Sequence, residues 1–372
     1  MAAALGTGNS TIMTQSFDIE LSHCRKTYGD INVLDDVSLQ VKNGEFITVL
    51  GPSGCGKTTT LRVIGGFIIP DSGRVSIRGR EVTNLPPYKR NIGVVFQNYA
   101  LWPHMTVAEI LSFGLRIRKL PREEIARRVD RALSMVQLTG LKDRYPRELS
   151  GGQQQRVAMA RALAIDPEVI ILDEPLSNLD RRLREELRIE LKRLQRSLGV
   201  TMLFVTHDQE EALSMSDQVV VMQSGRIQQI ADPRTVYERP ANRFVAGFLG
   251  SANFLPGELV QNSKESRAEI KLSNGAVVTA HAPSARAVGE KVTVIVRPEW
   301  LVLERQGSNP PANQLEGTVG DVIYEGSAIR YGIKLTHEPE APVFLQERSN
   351  ADVLKPGDKV RINVTNAVVA AE

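Results

Sequence analysis

The sequence predicts an α/β sheet covered by helices, followed by a smaller, mostly β unit. Two observations predict this order. Up to about residue 240, short continuous apolar runs alternate with long helical patterns, as in parallel strands buried on both faces. Beyond that point alternating segments separated by turn residues take over and no long helical pattern remains. A chain of 372 residues, at about 150 per domain, has room for two or three domains.

Each element follows from its own residues. Residues 45–50 (EFITVL) form a strand candidate that runs into a glycine-rich turn. Residues 169–172 (VIIL) and 202–205 (MLFV) are the clearest buried strands. Between them a helix is expected from about Asp180 to Leu198, with Leu183, Leu187, Leu191, Leu194 and Leu198 on one face and Gly199 as its stop. In the second part, residues 268–272 and 276–280 flank Asn274-Gly275, a strong hairpin signal. Residues 291–296, 328–335 and 359–364 read as further strands, and Pro356-Gly357-Asp358 as a turn, so a small barrel is expected.

Composition excludes several classes. Apolar residues at 42% and charged residues at 24% are ordinary for a globular protein and too apolar for a disordered chain. The 29 glycines and 19 prolines show no triplet period, which excludes a fibrous chain. A net charge of +3 is too balanced to argue for nucleic acid. Cys24 and Cys55 cannot build a disulfide framework, which points to a reducing compartment. The longest apolar stretches, such as residues 63–70, fall far short of the ~18 residues that span a bilayer. Residues 1–16 (MAAALGTGNSTIMTQS) lack the basic start and apolar core of a signal peptide and are expected to form a disordered tail. A membrane role would therefore come through a partner chain.

Three motifs carry chemistry. Residues 51–58 (GPSGCGKT) match the phosphate-loop pattern between a strand and an apolar helix start. Its glycines let backbone N–H groups turn inward around phosphate oxygens, and the helix start adds a positive dipole end. Lys57 would reach the β- and γ-phosphates, and the Thr58 hydroxyl would ligate Mg²⁺. Asp173 and Glu174 end the strand VIIL; the first would hold Mg²⁺ and the second polarise an attacking water. Residues 149–153 (LSGGQ) form another anion-binding helix start, which Ser150 can cap. One nucleotide rarely needs two cradles, so the second makes sense if it serves a nucleotide held by another subunit.

Together these residues resemble the ATP-binding cassette family over nearly all of residues 18–372. The signature LSGGQ is the most specific element. The phosphate loop corresponds to Walker A and VIILDEP to Walker B, Ser177-Asn178-Leu179-Asp180 to the D-loop, and His207 in VTHD to the switch. Gln97 in VFQNYALWPH fits the Q-loop, and Tyr28 in KTYGD fits the aromatic that stacks on adenine, though Tyr28 could also be a core aromatic. The resemblance implies an α/β P-loop NTPase cassette with a RecA-like core and helical subdomain over residues 17–240, and an OB-like (TOBE) domain over 241–372. It implies ATP and Mg²⁺ as cofactors. Tyr28, Ser53, Gly54, Cys55, Gly56, Lys57, Thr58, Thr59, Ser150, Gly151, Gly152, Gln153 and Asp180 would bind nucleotide. Thr58, Gln97 and Asp173 would hold the metal, and Glu174, His207 and Gln97 would serve hydrolysis.

The β-rich extension with VRPE at 296–299 resembles importer ATPases for sugars, polyamines, ferric iron and phosphonates. Residues 90–107, 206–217 and 241–257 look closest to the polyamine (spermidine/putrescine) and ferric-iron groups. The implied assembly is a head-to-tail homodimer, with Ser150 and Gly152 of one copy completing the ATP site of the other. Two transmembrane permease subunits would be contacted through Tyr99 to His104, a substrate-binding protein would deliver cargo outside, and the chain would sit at the cytoplasmic face of the membrane. Trp102 reads as part of that partner surface and Trp300 as core. A soluble cassette ATPase acting on ribosome or DNA is the rival class; the single signature and the lack of long coiled coils argue against it, and a plain nucleotide kinase would not need LSGGQ. His23, His104, His281 and His337 show no metal-ligand spacing. Cys55, at a helix start inside the phosphate loop, is expected to favour thiolate and react with alkylating agents; a small packed thiol is the alternative.

Overall fold

The computed structural model describes residues 17–263, 266–282, 286–304, 313–336, 338–349 and 352–370. The expected tail and His337 lie outside them. The chain divides into two compact units between Ile227 and Gln228, ahead of the expected change of texture near residue 240.

The first unit is built on a parallel sheet. Its strands lie in the order Gln218–Gln223, Phe46–Leu50, Thr201–Thr206, Val169–Asp173 and Ile92–Val95. The runs EFITVL, VIIL and MLFV thus sit at its centre, and their side chains are buried on both faces. A second, antiparallel sheet pairs Phe17–Tyr28 with Ile31–Lys42 on one side and Ser72–Ile77 on the other. The helices Val107–Ile117, Arg122–Met135 and Gly151–Ala164 pack into one core with residues of the parallel sheet. Their ends obey local chemistry. Thr106 and Glu109 form a reciprocal capping box at the first, and Ser150 and Gln153 another at the third. The expected long helix spans Arg181–Leu198, with Asp180 as its N-cap and Gly199 at φ 60° ending it.

The second unit is mostly β. A closed barrel contains the strands Asn253–Ser263, Arg267–Leu272, Val277–His281, Val368–Val369 and Lys291–Val296. The Asn274-Gly275 hairpin joins two of them: Asn274 Oδ1 accepts from the Ala276 N–H, and Gly275 adopts φ +87°. The barrel is accompanied by a second sheet that the sequence did not announce, in the order Leu301–Leu303, Lys359–Val364, Gln314–Tyr324, Ala328–Leu335 and Glu338–Arg348. One apolar core, from Leu255 to Val369, fills both. Trp300 packs against that core while staying half-buried. Among the described residues no helix is long and apolar enough to cross a membrane.

Candidate nucleotide site

Topology brings the candidate residues together. Four adjacent parallel strands release the chain at the same end of the sheet, so the phosphate loop, His207, Asp173-Glu174 and Gln97 follow one another along its C-terminal edge. That edge is where open α/β sheets bind their ligands.

The phosphate loop leaves Phe46–Leu50 and enters the helix Lys57–Gly65. Gly54 and Gly56 take φ of +78° and +108°, conformations that L side chains rarely adopt. A Cβ on Gly56 would also lie 2.6 Å from the Val33 carbonyl, so the loop is pressed against the strand that follows the Tyr28 turn. No side chain caps the helix start, which leaves its first N–H groups available to a ligand. The buried Lys57 folds back and donates Nζ to the carbonyls of Gly51 at 2.8 Å and Pro52 at 3.0 Å. Thr58 and Thr59 are half-buried on the first turn, and Ser53 is exposed at the loop tip.

Asp173 ends its strand and Glu174 follows at φ 44°. Burial, then the Glu174 charge, push the Asp173 carboxyl above its ordinary value; Arg62 and Lys57 offset this in part. Asp173 and Glu174, near enough to the loop helix for the Lys57 charge to act on Asp173, offer with the Thr58 hydroxyl the hard oxygen donors that Mg²⁺ takes. The residues present therefore fit the metal that the family implies.

His207 places Nδ1 3.2 Å from Glu174 Oε2. Its position is fixed by neighbours that the sequence reading overlooked. Thr206 donates its hydroxyl to the buried Glu211 and accepts from the Asp208 N–H at 3.0 Å, while Asp208 caps the helix Gln209–Met215. The pattern TxDxxE after a buried strand carries that signal, because Asp208 is an N-cap and Glu211 lies in the first turn. Gln97 lies exposed just after Ile92–Val95, and its carbonyl accepts from Asn178 Nδ2 at 2.9 Å, tying the Q-loop to the D-loop. Arg161, on the helix that Ser150 begins, donates to the Tyr99 and Ala100 carbonyls, both residues having positive φ. Its guanidinium lies 5.8 Å from the Trp102 ring, which is itself half-buried against Phe113.

The remaining candidates are placed separately. Tyr28 is 48% exposed at a strand end, so it is not a core aromatic. Asp180 spends its carboxylate on the Leu183 N–H and serves as a helix cap. Ser150, Gly151, Gly152 and Gln153 form a separate capped helix start.

Cys55 departs from expectation. It is 3% exposed, and burial pushes its thiol up by more than Lys57 and the loop N–H groups pull it down. A packed neutral thiol, rather than a reactive thiolate, occupies the loop, because the helix start lies under residues such as Met222 that belong to the core.

With this geometry in hand, comparison with known proteins is decisive. A spermidine/putrescine import ATP-binding protein of Rubrobacter xylanophilus is 47% identical over 346 residues, covering 92% of this chain and 90% of that one. The chain belongs to the ATP-binding subunits of ABC transporters. The ABC transporter family model matches residues 34–177 and the TOBE domain model residues 294–370. A protein of the same name from Lawsonia intracellularis is 48% identical over 314 residues, 84% of each chain. Among solved structures, CbiO1 of Clostridium perfringens, part of an ABC transporter complex, has a TM-score of 0.56 at 33% identity, covering 59% of this chain and 90% of that one. A dimeric ATP-binding cassette solved after hydrolysis with ADP and Pi has a TM-score of 0.52 at 34% identity, covering 58% of this chain and 99% of that one. This ABC ATPase therefore hydrolyses ATP to drive transport, with a cassette core followed by an OB-like TOBE domain.

Proposed function

We propose that this ABC ATPase energises import of spermidine or putrescine. The cassette site is common to many cargoes, so the cargo reading rests on full-length kinship. The Rubrobacter relative is 47% identical over a match that covers 92% of the chain and so extends into the C-terminal unit. The chain works as a homodimer with two permease subunits at the cytoplasmic face of the membrane and an external substrate-binding protein; the dimeric cassette relative supports the first part.

In this reading the loop amides and Lys57 hold the ATP phosphates, Tyr28 stacks on adenine, and Ser150, Gly151, Gly152 and Gln153 close on the partner's nucleotide. Thr58, Asp173 and Gln97 would hold Mg²⁺, which when bound would neutralise phosphate charge. Glu174 accepts the proton of the attacking water. His207, 3.2 Å away, holds that carboxylate in place.

The deciding experiment reconstitutes the ATPase with its permease subunits in vesicles and measures ATP-dependent uptake from loaded binding protein. Uptake of labelled spermidine or putrescine is expected, abolished in Glu174→Gln. Uptake of ferric iron, phosphonate or sugar without polyamine would replace the cargo assignment and leave the ATPase assignment standing.

A further inference from the structure

The C-terminal unit contains a second polar site, remote in sequence from every nucleotide-binding candidate. A cavity of about 550 Å³ opens at one end of the barrel. Its walls include Arg239, Arg267, His281, Thr279, Asn313 and Asn366. Register explains the convergence. Arg267 and His281 face each other at the end of the Asn274-Gly275 hairpin, and His281 pairs with Val368, which draws in the loop carrying Asn366. The helix Pro233–Glu238 delivers Arg239 immediately after its last residue.

The charge balance is one-sided. Among the described residues neither Arg239 nor Arg267 has an ion-pair partner. The one acid in the lining, Glu238, already accepts from Arg234 Nε at 2.9 Å. Neutral donors complete the wall. Asn313 uses its Oδ1 to accept from the Thr279 N–H, which fixes the amide and leaves Nδ2 as a donor. Asn313 also holds φ +82°, one of the positive-φ residues of the chain. Like charges gathered around a polar space, with neutral donors and, among the described lining residues, one acid that already has a partner, form the complement of an anion. Planar guanidinium forks match the oxygens of phosphate in particular, and the volume falls in the range of small-ligand sites, about 300–1,000 Å³.

We infer that this cavity binds a small phosphate-class oxyanion, inorganic phosphate or a phosphomonoester, between Arg239, Arg267 and His281. The state of His281 agrees with the geometry. Burial, then the charges of Arg239 and Arg267, press its imidazole below the ordinary value, against a backbone hydrogen bond at Ser266 that acts the other way. An anion seated between the three would reverse that pressure and favour the imidazolium. By linkage, the imidazolium form would bind the anion more tightly.

The test is a pH titration of the imidazole resonances of the full chain by NMR, with His281 assigned through His281→Gln. It is run without ligand, with inorganic phosphate, and with glycerol 3-phosphate. Saturating ligand is expected to raise the His281 midpoint by about one pH unit, equivalent to about tenfold tighter binding to the protonated form. Because the ATP site also takes phosphate, Lys57→Ala should leave the rise intact, whereas Arg239→Gln with Arg267→Gln should remove it. Both arginines are exposed, so the double variant is expected to fold, and its unperturbed backbone spectrum checks this. Tighter binding of glycerol 3-phosphate than of phosphate identifies an organic ligand as the source; the reverse order identifies free phosphate. An unmoved His281 midpoint with both ligands would overturn the assignment. So would a rise that survives in the double arginine variant or disappears in Lys57→Ala.

Discussion

Two helix starts in the cassette unit, both proposed to meet nucleotide phosphate, are built in opposite ways. The helix Lys57–Gly65 begins at a left-handed glycine with no side-chain cap. No side chain takes its first N–H groups, and its lysine donates to loop carbonyls. The helix Gly151–Ala164 begins at Ser150, whose Oγ accepts from the Gln153 N–H at 3.3 Å while Gln153 Oε1 accepts from the Ser150 N–H at 2.9 Å. One start offers its N–H groups to an external acceptor; the other is capped by side chains of its own chain. The first therefore suits the role of primary binding site proposed for it. The second is suited to a conditional contact that forms when a partner's nucleotide outcompetes an internal cap.

The sharpest break of this comparison is Lys57→Ala. If the uncapped start is the primary site, nucleotide binding is lost and steady-state hydrolysis falls by at least about a hundredfold. Isothermal titration with ATP checks the binding part. Retained affinity would mean that the loop amides suffice alone.

Glu174→Gln separates binding from chemistry at the same start. The amide cannot accept the proton of water, so turnover should fall by about 10²–10⁴-fold while ATP affinity persists. Sizing chromatography with ATP and Mg²⁺ should then show lasting dimers. Near-normal hydrolysis would remove Glu174 from the base role.

The capped start is probed by a pair of substitutions. Ser150→Arg should abolish ATP-driven dimerisation and leave monomer affinity for ATP unchanged; an affinity loss equal to that of Lys57→Ala would refute the conditional role. Ser150→Ala should cost about 1 kcal/mol of stability through the lost cap. The equivalent cap loss cannot be made at the phosphate loop, where no side chain caps.

This contrast was partly legible in the sequence. Local chemistry showed through: the glycine spacing around Lys57, the Ser150 cap, the Gly199 stop and the Asn274-Gly275 hairpin all depend on residues within a few positions of one another, as do the Gln153 and Asp180 partners that complete the caps in the structure. What depended on distant chain did not. Cys55 read as a thiolate because a helix start and Lys57 lie beside it in sequence, but its state is set by burial in a core that includes Met222, far along the chain. The second sheet of the C-terminal unit was hidden in the same way, since its strand Leu301–Leu303 pairs with Lys359–Val364 across a long separation. His281 showed no ligand spacing in the sequence, and only strand register places it opposite Arg267.

The smallest expected effect lies at a third helix start, Gln209–Met215, which is side-chain capped like the signature helix but holds its buried acid in the first turn. Glu211 is 3% exposed, accepts the Thr206 hydroxyl, and has Arg184 Nε no nearer than 4.0 Å. Burial pushes its carboxyl above 4.5; the Thr206 bond pulls the other way, Asp208 adds to the rise, and Arg184 and His207 oppose it. Between 4.5 and the raised folded value, the native state binds more protons, so this group's contribution to stability falls as pH rises. Glu211→Gln keeps an oxygen to accept from Thr206 and removes the buried charge, so its denaturant midpoint should lose that slope. At pH 7 the variant should match or slightly exceed the parent, by less than the cap effect of about 1 kcal/mol. Measuring urea midpoints of both proteins from pH 4.5 upward gives the answer. Parallel curves, or a parent that gains stability over the variant as pH rises, would show that Glu211 is held as a well-paired carboxylate and that the switch helix is anchored by its charge rather than by the Thr206 bond.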